Sequence, residues 1–167
     1  VGDGSYLMMA QEIVTSVQEG MKLTIVLVDN HGYGSIGALS RSIGGQGFGT
    51  RYLYRDEQSG QLPDDNTPIS AAMEGYLPVD FAMNAASLGA HTIRASTLAD
   101  FKAALAAAKD VPHTVVIVVE TDRYAGVPGY ESWWDVPIAE VSEIDTVQAA
   151  YEAYREEKKA ERYYLNN

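Results

Sequence analysis

Two short turns near the start of the chain carry the side chains best suited to bind a metal ion. Asp3 lies in the turn Gly2-Asp3-Gly4, and Asn30 lies further along the chain, directly after an apolar run. Mg2+ prefers an octahedral array of oxygens and usually combines one or two protein groups with phosphate and water. Asp3 would supply a carboxylate, Asn30 a side-chain carbonyl and Gly32 a backbone carbonyl. The pair of turns therefore predicts a magnesium site that also holds a diphosphate.

The start of the first predicted helix is the expected seat of that diphosphate. Backbone N–H groups and the helix dipole attract phosphate at a helix N-terminus. We expect the N–H groups of residues 4–6 to hold the phosphates. His31 lies between two predicted metal ligands and is a candidate for contact with the same phosphates. The predicted cofactor-binding set is Gly2, Gly4, Ser5, Tyr6, His31 and Tyr33.

Each turn also has a simpler explanation. Asp3 could serve only as an N-cap, and Asn30 only as a turn former. The occurrence of both turns at this spacing, each after an apolar segment, favours the metal–diphosphate interpretation. A dinucleotide-binding interpretation explains less, because the chain has one Gly-x-Gly without the third glycine of that fingerprint.

The sequence predicts an alternating order of strands and helices, and these elements determine where the two turns lie. Apolar runs at residues 23–28 and 114–120 are typical of strands buried on both faces, and a shorter strand is predicted at 91–95. This alternation predicts an α/β fold: a parallel sheet with helices on both faces. The predicted helices cover residues 5–19, 78–87 (or 80–87), 97–108 and 144–164.

Asp3 or Ser5 is expected to cap the first helix, and Gly20 to end it. The glycine-rich stretch 31–68 is expected to be irregular. We divide the chain into a cofactor-binding domain over residues 1–141 and a C-terminal helical tail over residues 142–167. Because Val1 directly precedes the first turn, we expect the domain to be truncated at its N-terminus and the chain to be the C-terminal piece of a longer polypeptide.

The composition narrows the class of function. The net charge of −11 disfavours nucleic-acid binding, and the absence of cysteine excludes disulfides, thiolate metal sites and a thiol nucleophile. No apolar run reaches the length of a membrane span, and no signal segment is present, so we expect a cytoplasmic protein that makes no membrane contact.

Several motifs resemble those of the acetolactate synthase and pyruvate decarboxylase group of thiamine-diphosphate enzymes. Gly2-Asp3-Gly4 followed by Asn30 is similar to the group's cofactor fingerprint, and the segment 78–89 is similar to its later Pro-Asp-Phe, Ala, Gly pattern. These families commonly have two asparagines where this chain has Asp29 and Asn30. The change falls on the first position, so the ligand role of Asn30 is preserved.

Three blocks of the chain resemble the trihydroxycyclohexanedione hydrolase family of bacterial myo-inositol breakdown. That resemblance implies a thiamine-diphosphate-binding fold, thiamine diphosphate and Mg2+ as cofactors, and hydrolytic C–C opening of a cyclic 1,2-diketone to 5-deoxyglucuronate. The alternatives are a carboligase or decarboxylase of the acetolactate synthase type, and a catalytically silent structural domain. The blocks are residues 29–37, residues 47–52 and Tyr130-Glu131-Ser132-Trp133-Trp134-Asp135-Val136-Pro137.

The resemblance also implies that the catalytic site is incomplete in this chain. In such enzymes a glutamate from a pyrimidine-binding domain, usually on a neighbouring subunit, activates the cofactor. We expect that glutamate upstream of Val1, a homo-oligomer, and no turnover by this segment alone. Arg51 and Tyr52 are the preferred substrate contacts among the loop residues, with Arg41 and Arg55 as further candidates. Trp133 and Trp134 either line the substrate pocket or pin the C-terminal crossing to the core.

Overall fold

A parallel sheet of three strands, in the order β1-β3-β2, forms the centre of the structure. The computed structural model describes residues 1–47, 49–63, 75–125 and 133–162, and the helices and strands belong to those residues. They are α1 (Asp3–Met9), α2 (Glu12–Gln18), β1 (Thr24–Asp29), α3 (Gly34–Ser42), α4 (Phe81–Ser87), β2 (His91–Ala95), α5 (Leu98–Asp110), β3 (Val115–Glu120) and α6 (Asp145–Lys158).

The central strand β3 divides the core into two layers. Its side chains alternate between the faces of the sheet, as strand geometry requires. Val116 and Val118 pack with residues of α1, α2 and α4, whereas Val115 and Ile117 pack with residues of α5. The predicted α/β fold with helices on both faces of a parallel sheet is therefore confirmed.

Val1 and Gly2 pair with the free side of β1. The Val28 N–H donates to the Val1 carbonyl at 2.8 Å, and the terminal amino group of Val1 donates to the Val26 carbonyl at 2.7 Å. Gly2 and Val28 form a parallel bridge. This pairing brings Asp3 to the carboxyl edge of the sheet, beside the end of β1.

The first helical segment differs from the prediction. Residues 5–19 do not form one helix, because a turn at Ala10 and Gln11 separates α1 from α2. The expectation that Asp3 or Ser5 caps the helix is wrong. Gly2 occupies the N-cap position, and Asp3 lies in the first turn. The Asp3 carboxylate is thereby available for contacts across the site.

The glycine-rich stretch is not wholly irregular, since α3 forms within it. Glycines at positions 34 and 37 lower the intrinsic helix propensity of this segment, so the sequence does not predict the helix. Gly37 is buried in the structure. Side chains of α3 contribute to an apolar groove shared with α6 and with Trp133.

The later elements agree with the prediction to within a few residues. Asp80 caps α4 by accepting a hydrogen bond from the Met83 N–H, and Thr97 and Asp100 form a capping box at the start of α5. The last helix, α6, ends at Lys158. Residues 163–167 lie outside the described part of the chain, as does the segment 130–132 of the family-like block.

Trp133 contacts α6. Its ring stacks on Tyr154 with 6.3 Å between centroids, and Asp135 accepts hydrogen bonds from the Tyr154 hydroxyl and the Lys158 ammonium group. These contacts favour the structural role considered for the tryptophan pair. No helix within residues 1–47, 49–63, 75–125 and 133–162 combines the length and hydrophobicity that a membrane crossing requires.

Candidate metal and diphosphate site

Asp3 joins the two turns at the carboxyl edge of the sheet. One carboxylate oxygen, Oδ2, accepts a hydrogen bond from the Gly32 N–H at 2.8 Å, and Oδ1 accepts one from the Gly4 N–H at 2.8 Å. The side chain is nearly inaccessible, with 1% of its residue surface exposed. The two turns are thus in direct contact, as their spacing predicts.

The side-chain amide of Asn30 meets two acceptor oxygens at this contact. Asn30 directs its side-chain oxygen at two other acceptors: the Gly32 carbonyl oxygen at 2.8 Å and Oδ1 of Asp3 at 3.2 Å. Oxygens at such distances repel one another unless a proton or a cation lies between them. In the absence of a cation, hydrogen bonding favours the orientation with oxygen and nitrogen exchanged, in which the Asn30 amide donates from Nδ2 to both atoms.

The spacing of these oxygens suits Mg2+. An octahedral Mg2+ ion holds its ligands at about 2.0–2.1 Å, so adjacent ligand oxygens are about 2.9 Å apart. The two separations at Asn30, 2.8 and 3.2 Å, lie on either side of that value. The donor set of carboxylate, amide and backbone carbonyl is also the hard-oxygen chemistry that Mg2+ prefers. The residues present therefore fit the metal that the sequence predicts.

Two glycines allow the close approaches in the site. A Cβ atom at Gly32 would lie 2.2 Å from the Thr50 carbonyl oxygen, and the φ angle of +152° is one that other residues rarely adopt. A Cβ atom at Gly4 would lie 2.6 Å from the Tyr33 ring. Tyr33 therefore covers the start of α1, and its own ring meets Tyr52 edge-on, with 5.9 Å between centroids.

The N–H groups predicted to hold phosphate are not equally available. The Tyr6 N–H donates to the Gly2 carbonyl at 2.9 Å, and the Gly4 N–H donates to Asp3. Of the N–H groups of residues 4–6, that of Ser5 takes part in neither of these two hydrogen bonds. The Tyr6 side chain is buried, and its hydroxyl donates to Oδ1 of Asn84 at 2.8 Å. Burial raises the pKa of this tyrosine.

His31 is held by a partner from the end of β3. Its Nε2 atom lies 2.9 Å from Oε1 of Glu120, and its ring stacks on Tyr76 with 4.4 Å between centroids. Its backbone has a φ angle of +59°, and its N–H donates to Asp29 at 3.1 Å. Glu120 and Tyr76 are site residues that sequence reasoning missed.

Asp29 is a buried carboxyl group between the two turns. Only 7% of its surface is exposed. Burial raises its pKa, the His31 N–H and ring oppose that shift, and the negative charge of Asp3 adds to it. Asp29 is therefore a second acid beside the predicted metal ligands.

The predicted substrate contacts, Arg51 and Tyr52, lie next to the turn that contains Asn30. Arg51 forms an antiparallel bridge with Gly32, and its Nη1 atom donates to the Tyr124 hydroxyl at 2.8 Å. The Tyr52 N–H donates to the His31 carbonyl at 3.0 Å, and its buried hydroxyl has no hydrogen-bond partner among the described residues. Burial, followed by the nearby charges of Asp3, Tyr33 and Asp29, raises the pKa of Tyr52.

The described residues contain no group of three or more histidine, cysteine, aspartate or glutamate side chains able to hold a metal ion. A cation in this part of the chain would thus depend on a mixed donor set. Asp3, Asn30 and the Gly32 carbonyl form such a set. They lie together at the carboxyl edge of a parallel α/β sheet, where α/β proteins bind their ligands.

The chain belongs to the family described as thiamine pyrophosphate enzyme, C-terminal TPP binding domain, whose model matches residues 1–119. It is similar to 3D-(3,5/4)-trihydroxycyclohexane-1,2-dione hydrolase 2 of Bacillus cereus. The two are 40% identical over 153 residues, which are 92% of this chain and 22% of that protein. It is also 40% identical to the enzyme of the same name, without the numeral, from Bacillus thuringiensis, with the same coverage. The chain thus spans about a fifth of the length of these relatives.

Two solved structures share the fold. One is a thiamine diphosphate-dependent 4-hydroxybenzoylformate decarboxylase of Rhodococcus jostii RHA1, with a TM-score of 0.52 and 20% identity over 73% of this chain and 19% of that one. The other is benzoylformate decarboxylase from Polynucleobacter necessarius, with a TM-score of 0.51 and 26% identity over 74% of this chain and 19% of that one. Both support the thiamine-diphosphate-binding α/β fold.

Proposed function

We propose that Asp3, Asn30 and the Gly32 carbonyl bind Mg2+, and that the metal and the start of α1 hold the diphosphate of thiamine diphosphate. The observation that carries this proposal is the contact between the two turns, where the side-chain amide of Asn30 lies 2.8 Å from the Gly32 carbonyl oxygen and 3.2 Å from Oδ1 of Asp3. Ser5 would donate its N–H to a phosphate oxygen, while Tyr33 would cover the cofactor end of α1. Gly2, Gly4, Tyr6 and His31 complete the proposed binding set.

We further propose that the whole enzyme hydrolyses a C–C bond in a cyclic 1,2-diketone of myo-inositol degradation. The names and the 40% identity of the Bacillus relatives support this reaction. Thiamine diphosphate, when bound, supplies the carbon nucleophile that attacks a carbonyl group. Arg51 and Tyr52 are the proposed substrate contacts, because both lie along the turn that carries Asn30.

The proposed partner is a pyrimidine-binding domain of the same or a neighbouring subunit. It would provide the activating glutamate, so we expect a homo-oligomer and no turnover by this chain alone. The cytoplasmic location of the protein remains a prediction, as does the boundary between a cofactor-binding domain at 1–141 and a helical tail at 142–167. Mixing the purified chain with thiamine diphosphate, Mg2+ and the diketone tests its expected inactivity, and ring opening at the full rate would refute it.

The function is tested by replacing Asp3 with Asn in the enzyme that contains this chain. Asp3→Asn preserves the shape of the side chain and removes the charge that the metal requires. Changes next to metal ligands commonly cost about 10–100-fold in affinity or activity, so we expect ring opening to fall at least about 100-fold. Asp56→Asn, in an exposed loop, is the matched control and should retain activity.

Ring opening and cofactor affinity are measured together. Unchanged cofactor affinity and activity in the Asp3→Asn enzyme would refute the metal proposal. If the enzyme acted on pyruvate and not on the diketone, the proposed hydrolase function would be wrong, and a carboligase or decarboxylase function would take its place. Absence of both activities from the assembled wild-type enzyme would favour a structural domain.

A further inference from the structure

One helical layer of the structure has an apolar outer surface. The helices α1, α2 and α4 cover the same face of the sheet, since residues of all three pack with Val116 and Val118 of β3. Large hydrophobic side chains of these helices nevertheless remain exposed to solvent, three of them by more than 60% of their surface. We call these side chains the apolar face: Leu7, Met8, Met9, Val14, Val17 and Met83.

The three helices are neighbours, so the apolar face extends over adjoining elements. Helix α1 meets α4 where the Tyr6 hydroxyl donates to Oδ1 of Asn84 at 2.8 Å. Helix α2 meets the end of α4 at Gly89, where an added Cβ atom would lie 3.3 Å from a methyl group of Val17. A short turn joins α1 to α2. Hydrophobic residues scattered singly over a surface need no explanation, whereas a patch of them marks an interaction site.

The same layer is nearly free of charge. Residues 4–18 and 81–87 include one charged residue, Glu12. By contrast, α6 has six charged residues among its 14, and α5 has four among its 13. A helix at the surface of a globular protein ordinarily presents charged and polar residues on its outer side. The layer of α1, α2 and α4 therefore has the composition of helices that are covered on both sides.

We propose that the apolar face is the contact between two copies of this chain. The net charge of −11 makes two copies repel one another wherever their acidic surfaces meet. The layer of α1, α2 and α4 brings one exposed acid per copy to such a contact, so the repulsion there is small. A basic partner would instead be attracted to the acidic surfaces elsewhere and would gain little from a face without charge.

The residue types of the apolar face also suit a like partner. Homodimer interfaces are more apolar than ordinary protein surfaces, and interfaces are enriched in methionine and depleted of aspartate, glutamate and lysine. Half of the apolar face is methionine, whose unbranched side chain adapts to irregular surfaces. Such adaptability favours an isologous contact, in which each side chain must fit the same surface related by a two-fold axis.

The proposed contact gives a location to the homo-oligomer expected above, and it does not depend on the proposed reaction. Helix α1 begins at Asp3, the proposed metal ligand, and carries Met8 and Met9 towards its other end. Pairing of two copies would thus hold the helix that supplies the Ser5 N–H to the phosphates.

Sedimentation velocity of the purified chain tests the proposed contact. We expect a concentration-dependent species of twice the 18.1 kDa mass of the chain. Met83→Glu should weaken the dimer at least about 100-fold, because each copy would bring a new like charge into the contact. Leu98→Glu is the matched control, since Leu98 is 69% exposed against 70% for Met83 but belongs to α5 on the other face of the sheet. It should leave the dimer intact, and circular dichroism checks that both variants are folded.

Cross-linking provides a second measurement that needs no added charge. The chain has no cysteine, so Met8→Cys introduces the sole thiol. A flexible bis-maleimide should join two copies of Met8→Cys and leave most of Leu98→Cys as single chains.

A wild-type chain that sediments as a monomer at every concentration would overturn the proposed contact and leave the apolar face to another domain or protein. A dimer that survives Met83→Glu, or equal cross-linking of Met8→Cys and Leu98→Cys, would also overturn it. These measurements require neither cofactor nor turnover, so their failure is distinguishable from a failure of the proposed function.

Discussion

Asn30 suits its position because its amide presents two different atoms at one end. The oxygen can face a cation together with Asp3 and the Gly32 carbonyl, and the NH2 group can donate to the same two oxygens once the amide is flipped. Aspartate lacks the second option, since an ionised carboxylate only accepts hydrogen bonds. An amide at this position is therefore compatible with the site both with and without a metal ion.

This difference gives a prediction for Asn30→Asp. Without Mg2+, a second carboxylate facing Asp3 should lower the free energy of unfolding by about 1–3 kcal/mol, the typical cost of an unsatisfied buried polar group. Added Mg2+ should reduce that loss, because the cation offsets the new charge. Urea unfolding with and without Mg2+ measures both effects.

Asn84→Asp is the matched control for this change. Asn84 is exposed and accepts a hydrogen bond from the Tyr6 hydroxyl, which aspartate can also accept. The difference in stability between Asn84→Asp and the wild type should not depend on Mg2+. If Mg2+ changed the stability loss relative to wild type equally in the two variants, a metal site at Asn30 would be contradicted.

The residues of the site were predictable to the extent that the chain places them in turns. Asn30 and Gly32 follow an apolar run, Asp3 lies in a Gly-Asp-Gly turn, and all three are recognisable by residue type and spacing. Glu120 and Arg123 contact His31 from distant positions in the sequence, and only the pairing of β1 with β3 brings them close. No local pattern in the sequence reveals such a contact.

At the scale of elements, the cap of α4 has a measurable effect. Asp80 accepts a hydrogen bond from the Met83 N–H and forms an ion pair with Arg94. The Met83 N–H lowers its pKa below the ordinary value of 3.8, and Arg94 contributes to the shift. The folded state thus favours the ionised form, so the stabilisation is present above pH 3.8 and is lost as the pH falls through the lowered pKa.

We predict that Asp80→Ala lowers the free energy of unfolding by about 1 kcal/mol at pH 7, the usual cost of losing an N-cap. Asp80→Asn should keep most of the cap but not the dependence on pH. The difference between wild type and Asp80→Asn should shrink as the pH falls below about 4. Urea unfolding at neutral pH and at pH values below that point measures this, and a pH-independent difference would contradict the assignment.

The elements themselves were predictable where burial controls the sequence pattern. The run Val-Val-Ile-Val-Val in β3 is apolar because both of its faces are covered. The helix α3 was missed because Gly34 and Gly37 are poor helix formers, and packing outweighs that preference. The break at Ala10 and Gln11 was also missed, since neither residue disfavours a helix on its own.

At the scale of the whole molecule, cofactor binding should be visible as stability. A ligand that binds only the folded state at about 100 times its Kd stabilises that state by about 2.7 kcal/mol. We predict that thiamine diphosphate and Mg2+ together raise the melting temperature by several degrees, and that either alone has a smaller effect. Differential scanning calorimetry checks this.

Thiamine, which lacks the diphosphate, is the ligand control for that measurement. It should leave the melting temperature unchanged with or without Mg2+, because the predicted contacts all involve the metal or the phosphates. An equal shift with thiamine would place the recognition elsewhere.

The pairing of Gly2 with Val28 has a consequence for the order of folding. The predicted metal ligands all lie between Asp3 and Gly32, whereas β1 and β3 pair residues as distant as Thr24 and Val115. Closing a short loop costs less conformational entropy than closing a long one, and local contacts form faster than distant ones. We therefore expect the predicted metal-binding residues to come together early, within a local folding unit. The contacts of Arg123 and Glu120 with His31 should form later, when β3 pairs with β1.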